Sequence, residues 1–142
     1  PHFDRIGGQF RRILTEHAGL TRKSRILDVG CGTGRLAKAL TGAVHSYSGL
    51  DVYPAFIDYC RANYRDQDFT HADVRHDEYN PGGALDPATY ELPYPSRSFD
   101  IVCAIALFNH FTTPWVFQYI RQISRVLRPK GILVATFLLL NK

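Results

Sequence analysis

The residues with the clearest chemical potential lie in one run, Ile26-Leu-Asp-Val-Gly-Cys-Gly-Thr-Gly34, followed about twenty positions later by Asp51. Three glycines at alternate positions let a ligand lie against the main chain, because glycine has no side chain and tolerates positive φ. On this reading Gly30 and Gly32 admit the ligand, Cys31 sits between them, and Gly34 lets the next helix pack closely on its strand. A branched side chain at Gly32 is expected to block the ligand with little loss of fold. Asp51 closes a second short apolar run, and a carboxylate there can accept two parallel hydrogen bonds, as the hydroxyls of a ribose offer. Asp28 stands just before the glycines. It would repel a pyrophosphate at the adjoining helix N-terminus, and the third glycine comes one residue early for the G-x-G-x-x-G dinucleotide fingerprint. The pair of acids suits an adenosine-bearing ligand with a cationic amino group and no phosphate. Helix capping is the alternative role for Asp28.

These residues need strands and helices to hold them. Phe3, Ile6, Phe10, Ile13, Leu14 and His17 recur at helical spacing, which predicts an amphipathic first helix ending near Gly19. Residues 25–30 read as a buried strand entering the glycine turn, and residues 35–40 as a helix. Residues 47–51 form a second strand, Pro54 opens a further helix, and residues 68–72 form a weak third strand. Residues 98–106 are apolar on both faces, as a central parallel strand should be. A helix at 114–127, a turn at Pro129-Lys-Gly131 and a fifth strand at 132–140 complete the pattern. Strands alternating with helices predict a mainly parallel sheet in an α/β three-layer sandwich with right-handed crossovers. Ligands bind beyond the carboxyl ends of such strands, where the glycines and Asp51 fall. Residues 74–97 hold Asn80-Pro-Gly-Gly83, Asp86-Pro87, Pro93 and Pro95, and read as a long functional loop. It is expected on the acceptor side and outside the core, with Tyr79, Tyr90 and Tyr94 covering an entrance, or else as a surface elaboration or an oligomer contact.

Composition narrows the class. The chain has 142 residues, 45% hydrophobic and 21% charged, which is ordinary for one globular domain. The net charge of +4 is concentrated in part at Arg11, Arg12, Arg22, Lys23 and Arg25. Without interleaved aromatics this reads as a solvated face and weighs against nucleic acid. Three widely spaced cysteines fit no metal-ligand pattern, so no metal site is expected, and reduced thiols point to a cytoplasmic protein. The longest apolar run is about half of a membrane span. The chain opens at Pro1 and holds no methionine, as expected of a fragment.

Asp-Val-Gly-Cys-Gly-Thr-Gly resembles the first motif of class I S-adenosylmethionine-dependent methyltransferases, a Rossmann-like superfamily. Gly49-Leu-Asp51 resembles its second motif and His71-Ala-Asp-Val74 its third. Leu92-Pro-Tyr-Pro-Ser-Arg-Ser-Phe-Asp-Ile-Val102 resembles the LPFPDxSFDxV stretch, and Arg125-Val-Leu-Arg-Pro-Lys-Gly-Ile-Leu133 the RVLKPGG turn. The resemblance spans most of the chain. The segment between Asp73 and Leu92 is longer than in compact members and resembles an insertion in a bacterial small-molecule subgroup. The family's sheet has seven strands, so the fold is expected to be truncated after the fifth, as one domain over 1–142 with an N-terminal helix at 1–20.

The resemblance implies S-adenosylmethionine as cofactor and S-adenosylhomocysteine as product. It implies Asp28 near the amino group, Asp51 on the ribose, Asp73 on the adenine amino group, and Ala104 near the methionine moiety. Val52 and Val74 are expected to sandwich the adenine, or else to pack the core. Asp73 can instead cap the loop. His110 follows the fourth strand, where acceptor contacts tend to lie, and can serve as a general base or as a plain loop histidine. Phe108, Phe111 and Trp115 can line an acceptor pocket or seat the next helix. The expected function is methyl transfer to a small-molecule or glycan acceptor. The rivals are an RNA or DNA methyltransferase, a non-catalytic cofactor-binding module, and a nicotinamide oxidoreductase disfavoured by the glycine spacing. The oligomeric state is not legible in the sequence.

Overall fold

The structure is a computed structural model that describes residues 2–138. Five parallel strands form one sheet in the order β3-β2-β1-β4-β5. They are β1 (Arg25–Val29), β2 (Ser46–Asp51), β3 (Asp68–His71), β4 (Phe99–Ala104) and β5 (Leu127–Ala135). The helices are α1 (His2–Ala18), α2 (Arg35–Leu40), α3 (Pro54–Asn63) and α4 (Thr113–Val126), with a single 3₁₀ turn over Phe108–His110. The chain builds outward from β1 to β3, then crosses back to place β4 on the other side of β1. That reversal opens a crevice at the carboxyl ends of β1 and β4.

Apolar burial on both faces of the sheet explains why the central strands read as continuous apolar runs. Ile26, Tyr47, Phe69 and Ile101 face α1, α2 and α3, meeting Leu14, Leu36, Leu40, Ile57 and Cys60. Leu27, Val29, Leu50 and Val102 face the other way, toward Tyr119, Ile123 and Val126 of α4. The Rossmann-like three-layer expectation therefore holds. The five basic residues from Arg11 to Arg25 are all exposed.

The β3-to-β4 crossover carries no helix, and this corrects one expectation. Val74, Tyr90 and Leu92 are 2%, 8% and 2% exposed and lie in the core beside α4. Tyr94 packs edge-on against Phe99 at 5.2 Å. Residues at the two ends of the long segment therefore fill the sheet face that a crossover helix usually covers. Tyr90 is a core residue, Tyr94 is partly buried against the core, and neither covers the entrance.

Alpha-helix α4 clamps this segment with polar side chains. Gln122 is buried, and its Oε1 accepts from Leu92 N at 3.2 Å and from Arg125 Nε at 3.0 Å. Arg125 donates further to Leu92 O at 2.7 Å and Tyr94 O at 2.8 Å. The expected turn at Pro129-Lys-Gly131 is present as a loop-out within β5. Phe99 pairs with Leu127 and Ile101 with Ile132, so residues 128–131 oppose Asp100 alone, and Lys130 takes φ 66°. Residues 136–138 carry no strand, and the end of the expected fifth strand at 139–140 lies outside the described residues.

Removing the clamp tests how firmly the segment is held. Arg125→Ala should cost about 2–3 kcal/mol in urea denaturation, because two buried carbonyls lose charge-assisted partners. A change within about 0.5 kcal/mol, the size expected of an ordinary surface substitution, would mean that water replaces the guanidinium without loss.

Candidate functional site

The glycine turn is pinned from below by β2. Gly30 N and Cys31 N both donate to Leu50 O, at 2.7 and 3.1 Å. Gly32 N donates to Asp51 Oδ2 at 2.8 Å, and Tyr53 N donates to Asp51 Oδ1 at 2.9 Å. Gly30, Gly32 and Gly34 all have positive φ, of 79°, 54° and 79°. A Cβ at Gly32 would meet nothing within 4 Å. The turn therefore presents bare main chain to open space at that point. Its positive φ sets the size of the small loss of fold expected of a side chain there, about 1–2 kcal/mol.

Open space beside Gly32 is a cavity of about 350 Å³ at the carboxyl edge of the sheet. That volume suits a small-molecule ligand. Val29, Gly30, Gly32, Leu50, Asp51 and Val52 form its β1–β2 side. Val74, Arg75, His76 and Tyr79 close it from the long segment, Ile105 to Leu107, His110 and Phe111 from the stretch after β4, and Trp115 from the first turn of α4. Ala106, on that wall, holds φ 58° and donates its N–H to Thr136 Oγ1 at 2.7 Å. A wider groove of about 830 Å³ runs between α4 and β5, but its lining holds no carboxylate, histidine or thiol.

The structure brings together Gly30, Gly32, Asp51, Val52, Val74 and His110 around one cavity. Five other expected residues lie off it. Cys31 is buried, and its thiol, like that of Cys60, points to Gly32 O. Gly34 caps α2, and its missing side chain makes room for Tyr64 and Cys60, so the close packing is with α3 and not with a strand. Ala104 is fully buried one residue before Ile105. Asp73 is exposed, and its Oδ1 accepts from Asn80 Nδ2 at 3.1 Å. Asp28 is 3% exposed, and Tyr47 OH donates to its Oδ2 at 2.6 Å.

Burial pushes the Asp28 carboxyl up to about 6; the Tyr47 hydrogen bond opposes the rise and the nearby Asp51 charge adds to it. Sequence reasoning passed over His76, Arg75 and Arg35, which also line the cavity. The signal for His76 was available, since it follows the carboxyl end of β3 within the segment that the ligand-edge rule already marks.

The residues present fit an adenosine ligand carrying an amino acid. Each Asp51 oxygen has one backbone donor and keeps a further lone pair for a ribose hydroxyl. Val52 and Val74 offer flat apolar contact, Gly32 permits close approach, and Arg35 and Arg75 supply positive charge for a carboxylate.

A glycine turn at the switch point of a parallel sheet, with an acid ending the next strand, defines a Rossmann-like α/β protein. Residues 27–135 match the methyltransferase domain family, and the chain belongs to that family. It is 33% identical over 140 residues to phthiotriol/phenolphthiotriol dimycocerosates methyltransferase 1 of Mycobacterium ulcerans, covering 96% of this chain and 44% of that protein. It is 36% identical over 137 residues to 27-O-demethylrifamycin SV methyltransferase of Amycolatopsis mediterranei, covering 90% and 40%. The chain thus spans less than half the length of these curated relatives. Among solved structures, YcgJ of Bacillus subtilis superposes with a TM-score of 0.68 at 22% identity, covering 90% of this chain and 49% of that one. The [4+2]-cyclase SpnF superposes with a TM-score of 0.67 at 26% identity, covering 90% and 43%. Among the described residues no helix is long and apolar enough to cross a membrane.

Asp28 gives a pH test. The carboxyl titrates near 3.8 when unfolded and near 6 when folded, so between those values the folded chain holds the extra proton. Stability of the free protein then falls as pH rises through that window. In Asp28→Asn, whose amide oxygen still accepts from Tyr47, urea midpoints at pH 4 and pH 7 should converge, by about 3 kcal/mol at most. An unchanged pH slope would place the titrating proton elsewhere.

Proposed function

We propose that the chain holds S-adenosylmethionine in the cavity beside Gly32 and directs its methyl group to a small-molecule acceptor. One observation carries this reading: Gly32 opens onto the cavity while its N–H is tied to Asp51, whose remaining lone pairs border the same space. Asp51 binds the ribose hydroxyls, Val52 and Val74 flank the adenine, and the main chain of Gly30 to Gly32 lies against the ligand. Cys31, Gly34 and Ala104 shape the site from behind. Asp28 supplies negative charge beneath the turn for the ligand's amino group. Asp73 has one carboxylate oxygen committed to Asn80 and one left for the adenine amino group.

When bound, the cofactor supplies an electrophilic methyl group on a positively charged sulfur. The protein's own task is to hold the acceptor in line with that methyl, and positioning of this kind supplies up to about 7–11 kcal/mol. The apolar wall of Leu107, Phe111 and Trp115 excludes water from the reacting groups. The relatives' names support a small or lipid-like acceptor: phthiotriol dimycocerosates, demethylrifamycin and, in Mycolicibacterium smegmatis, a fatty acid. Arg22, Lys23 and Arg25 lie at the amino-terminal start of β1, the edge opposite the cavity, which argues against nucleic acid as acceptor. Three free, buried cysteines support a cytoplasmic setting. SpnF, named for a cyclisation, favours a second reading in which the fold serves another reaction.

Calorimetry with S-adenosylhomocysteine separates these readings from an empty scaffold. Asp51→Ala should lose about 1.5–3 kcal/mol of affinity, the range for a hydrogen bond to a charged group. Gly32→Ala should abolish binding while lowering stability by only about 1–2 kcal/mol. Affinity unchanged to within a few tenths in either variant removes the glycine turn from the site.

A further inference from the structure

Residues 75–83 fold back on themselves beside the cavity. His76 N donates to Asn80 O at 3.0 Å, and Asn80 N returns the bond to His76 O at 2.9 Å. Asn80 Nδ2 donates to Asp73 Oδ1 and Val74 O, both at 3.1 Å. Gly83 lies so close that a Cβ there would stand 2.5 Å from the Val74 and Arg75 main chain. This is the work of the Asn-Pro-Gly-Gly element: it returns the chain onto Val74 and closes a small loop.

Inside the loop, Glu78 N and Tyr79 N both donate to His76 Nδ1, at 3.2 and 3.3 Å. A ring nitrogen that receives two N–H donors is an acceptor, so neutral His76 carries its proton on Nε2. The fold sets the tautomer. The His76 ring lines the cavity with Tyr79, 4.9 Å away between centroids. His110 approaches from the other side, on the turn after β4. Its ring centroid lies 6.1 Å from that of His76 and 6.0 Å from that of Tyr79. The adjoining wall is Leu107, Phe111 and Trp115.

A hydroxyl donates one hydrogen bond and accepts two. Between one histidine that donates from Nε2 and another that accepts, a single hydroxyl satisfies both. A carboxylate has no proton to give His110, and an ammonium has no lone pair for His76. Resting on the methyl-transfer reading above, we propose that His76 and His110 are a hydroxyl-recognition pair for an uncharged, largely apolar alcohol or phenol. His76 donates to the acceptor oxygen and His110 takes its proton. The O–H bond breaks, with the proton passing to His110 and then to water. The oxygen forms the new O–CH3 bond as the CH3–S bond breaks, its electron pair going to sulfur. Nothing is oxidised or reduced.

The test uses the whole chain, labelled with ¹⁵N-histidine, at pH 7.5. Long-range ¹H–¹⁵N spectra should show His76 as the Nε2–H tautomer. With S-adenosylhomocysteine present, calorimetry should show binding of 2-naphthol and none of laurate. His76→Phe should weaken 2-naphthol about tenfold, the loss of one good hydrogen bond, and leave S-adenosylhomocysteine affinity unchanged. His76→Gln, whose side-chain N–H reaches where Nε2 stands, should restore most of it. An Nδ1–H tautomer, no 2-naphthol binding to the loaded chain, equal 2-naphthol affinity in His76→Phe, or preference for laurate overturns the pair. Failure of the unaltered chain to bind S-adenosylhomocysteine overturns the methyl-transfer reading instead.

Discussion

One carboxylate joins the two halves of the site. Asp51 ends β2, yet its two oxygens take N–H groups from the turn after β1 and from the start of α3. A nearly buried charge without partners is costly, so the chain can place Asp51 there only if Gly32 and Tyr53 are also in place. Gly32 in turn needs positive φ to aim its N–H at the carboxylate. The interaction therefore fixes a glycine, an acid and two strand ends at once. Because each oxygen is used only once, the same carboxylate still has acceptor capacity on the cavity side. The bonds that shape the turn and the acceptor capacity left on the cavity side belong to the same carboxylate.

The sheet imposes the second constraint. A parallel crossover must cover one face of the sheet, and between β3 and β4 there is no helix to do so. Val74, Tyr90 and Leu92 take that role, held down by Gln122 and Arg125. Both anchors are apolar and deep, while the stretch between them is polar and lies at the ligand edge. A segment tied at its two ends can vary in the middle without uncovering the core. That arrangement carries His76 and Tyr79 to the cavity wall at little cost to the fold, and it explains why so many turn-forming residues coexist with core tyrosines in one stretch.

What the sequence revealed follows from how local each signal is. Strands β1 and β4 announce themselves by apolar residues at successive positions because both their faces are buried, although Asp28 and Asp100 interrupt them, and the glycine turn is legible because positive φ restricts residue choice. Asp51 is legible because it ends a strand a fixed distance on. Tyr90 and Tyr94 were misplaced because Pro and Gly neighbours mark local conformation, whereas their burial is decided by the sheet face left open elsewhere. The Tyr47 hydrogen bond to Asp28 spans neighbouring strands, and nothing in either local sequence marks it. Gly34 shows the same limit: its small size was read correctly, but its neighbours, Cys60 and Tyr64, belong to the region of α3. The place of His76 at the ligand edge was legible, but its character was not, because that comes from two main-chain N–H groups in a folded-back loop, a contact with no pattern in residue type.

The loop after β4 shows how the two sides of the cavity stay in register. A Cβ at Gly30 would lie 3.1 Å from Leu107 Cδ1, so the bare glycine lets Leu107 rest against the turn. Just before it, Ala106 holds the left-handed conformation, a strain of about 1 kcal/mol or more for a residue with a side chain. Its N–H is fixed by Thr136 beyond β5. Strain of that kind persists where neighbouring contacts over-determine it, and here they come from β5 on one side and the glycine turn on the other. The consequence is directional: Leu107 is set by the turn, and the 3₁₀ turn that follows carries His110 to a place fixed relative to Gly30. Residues 108–115 and 75–80 can then vary, while the spacing of the two sides of the cavity is kept by a leucine packed on a glycine.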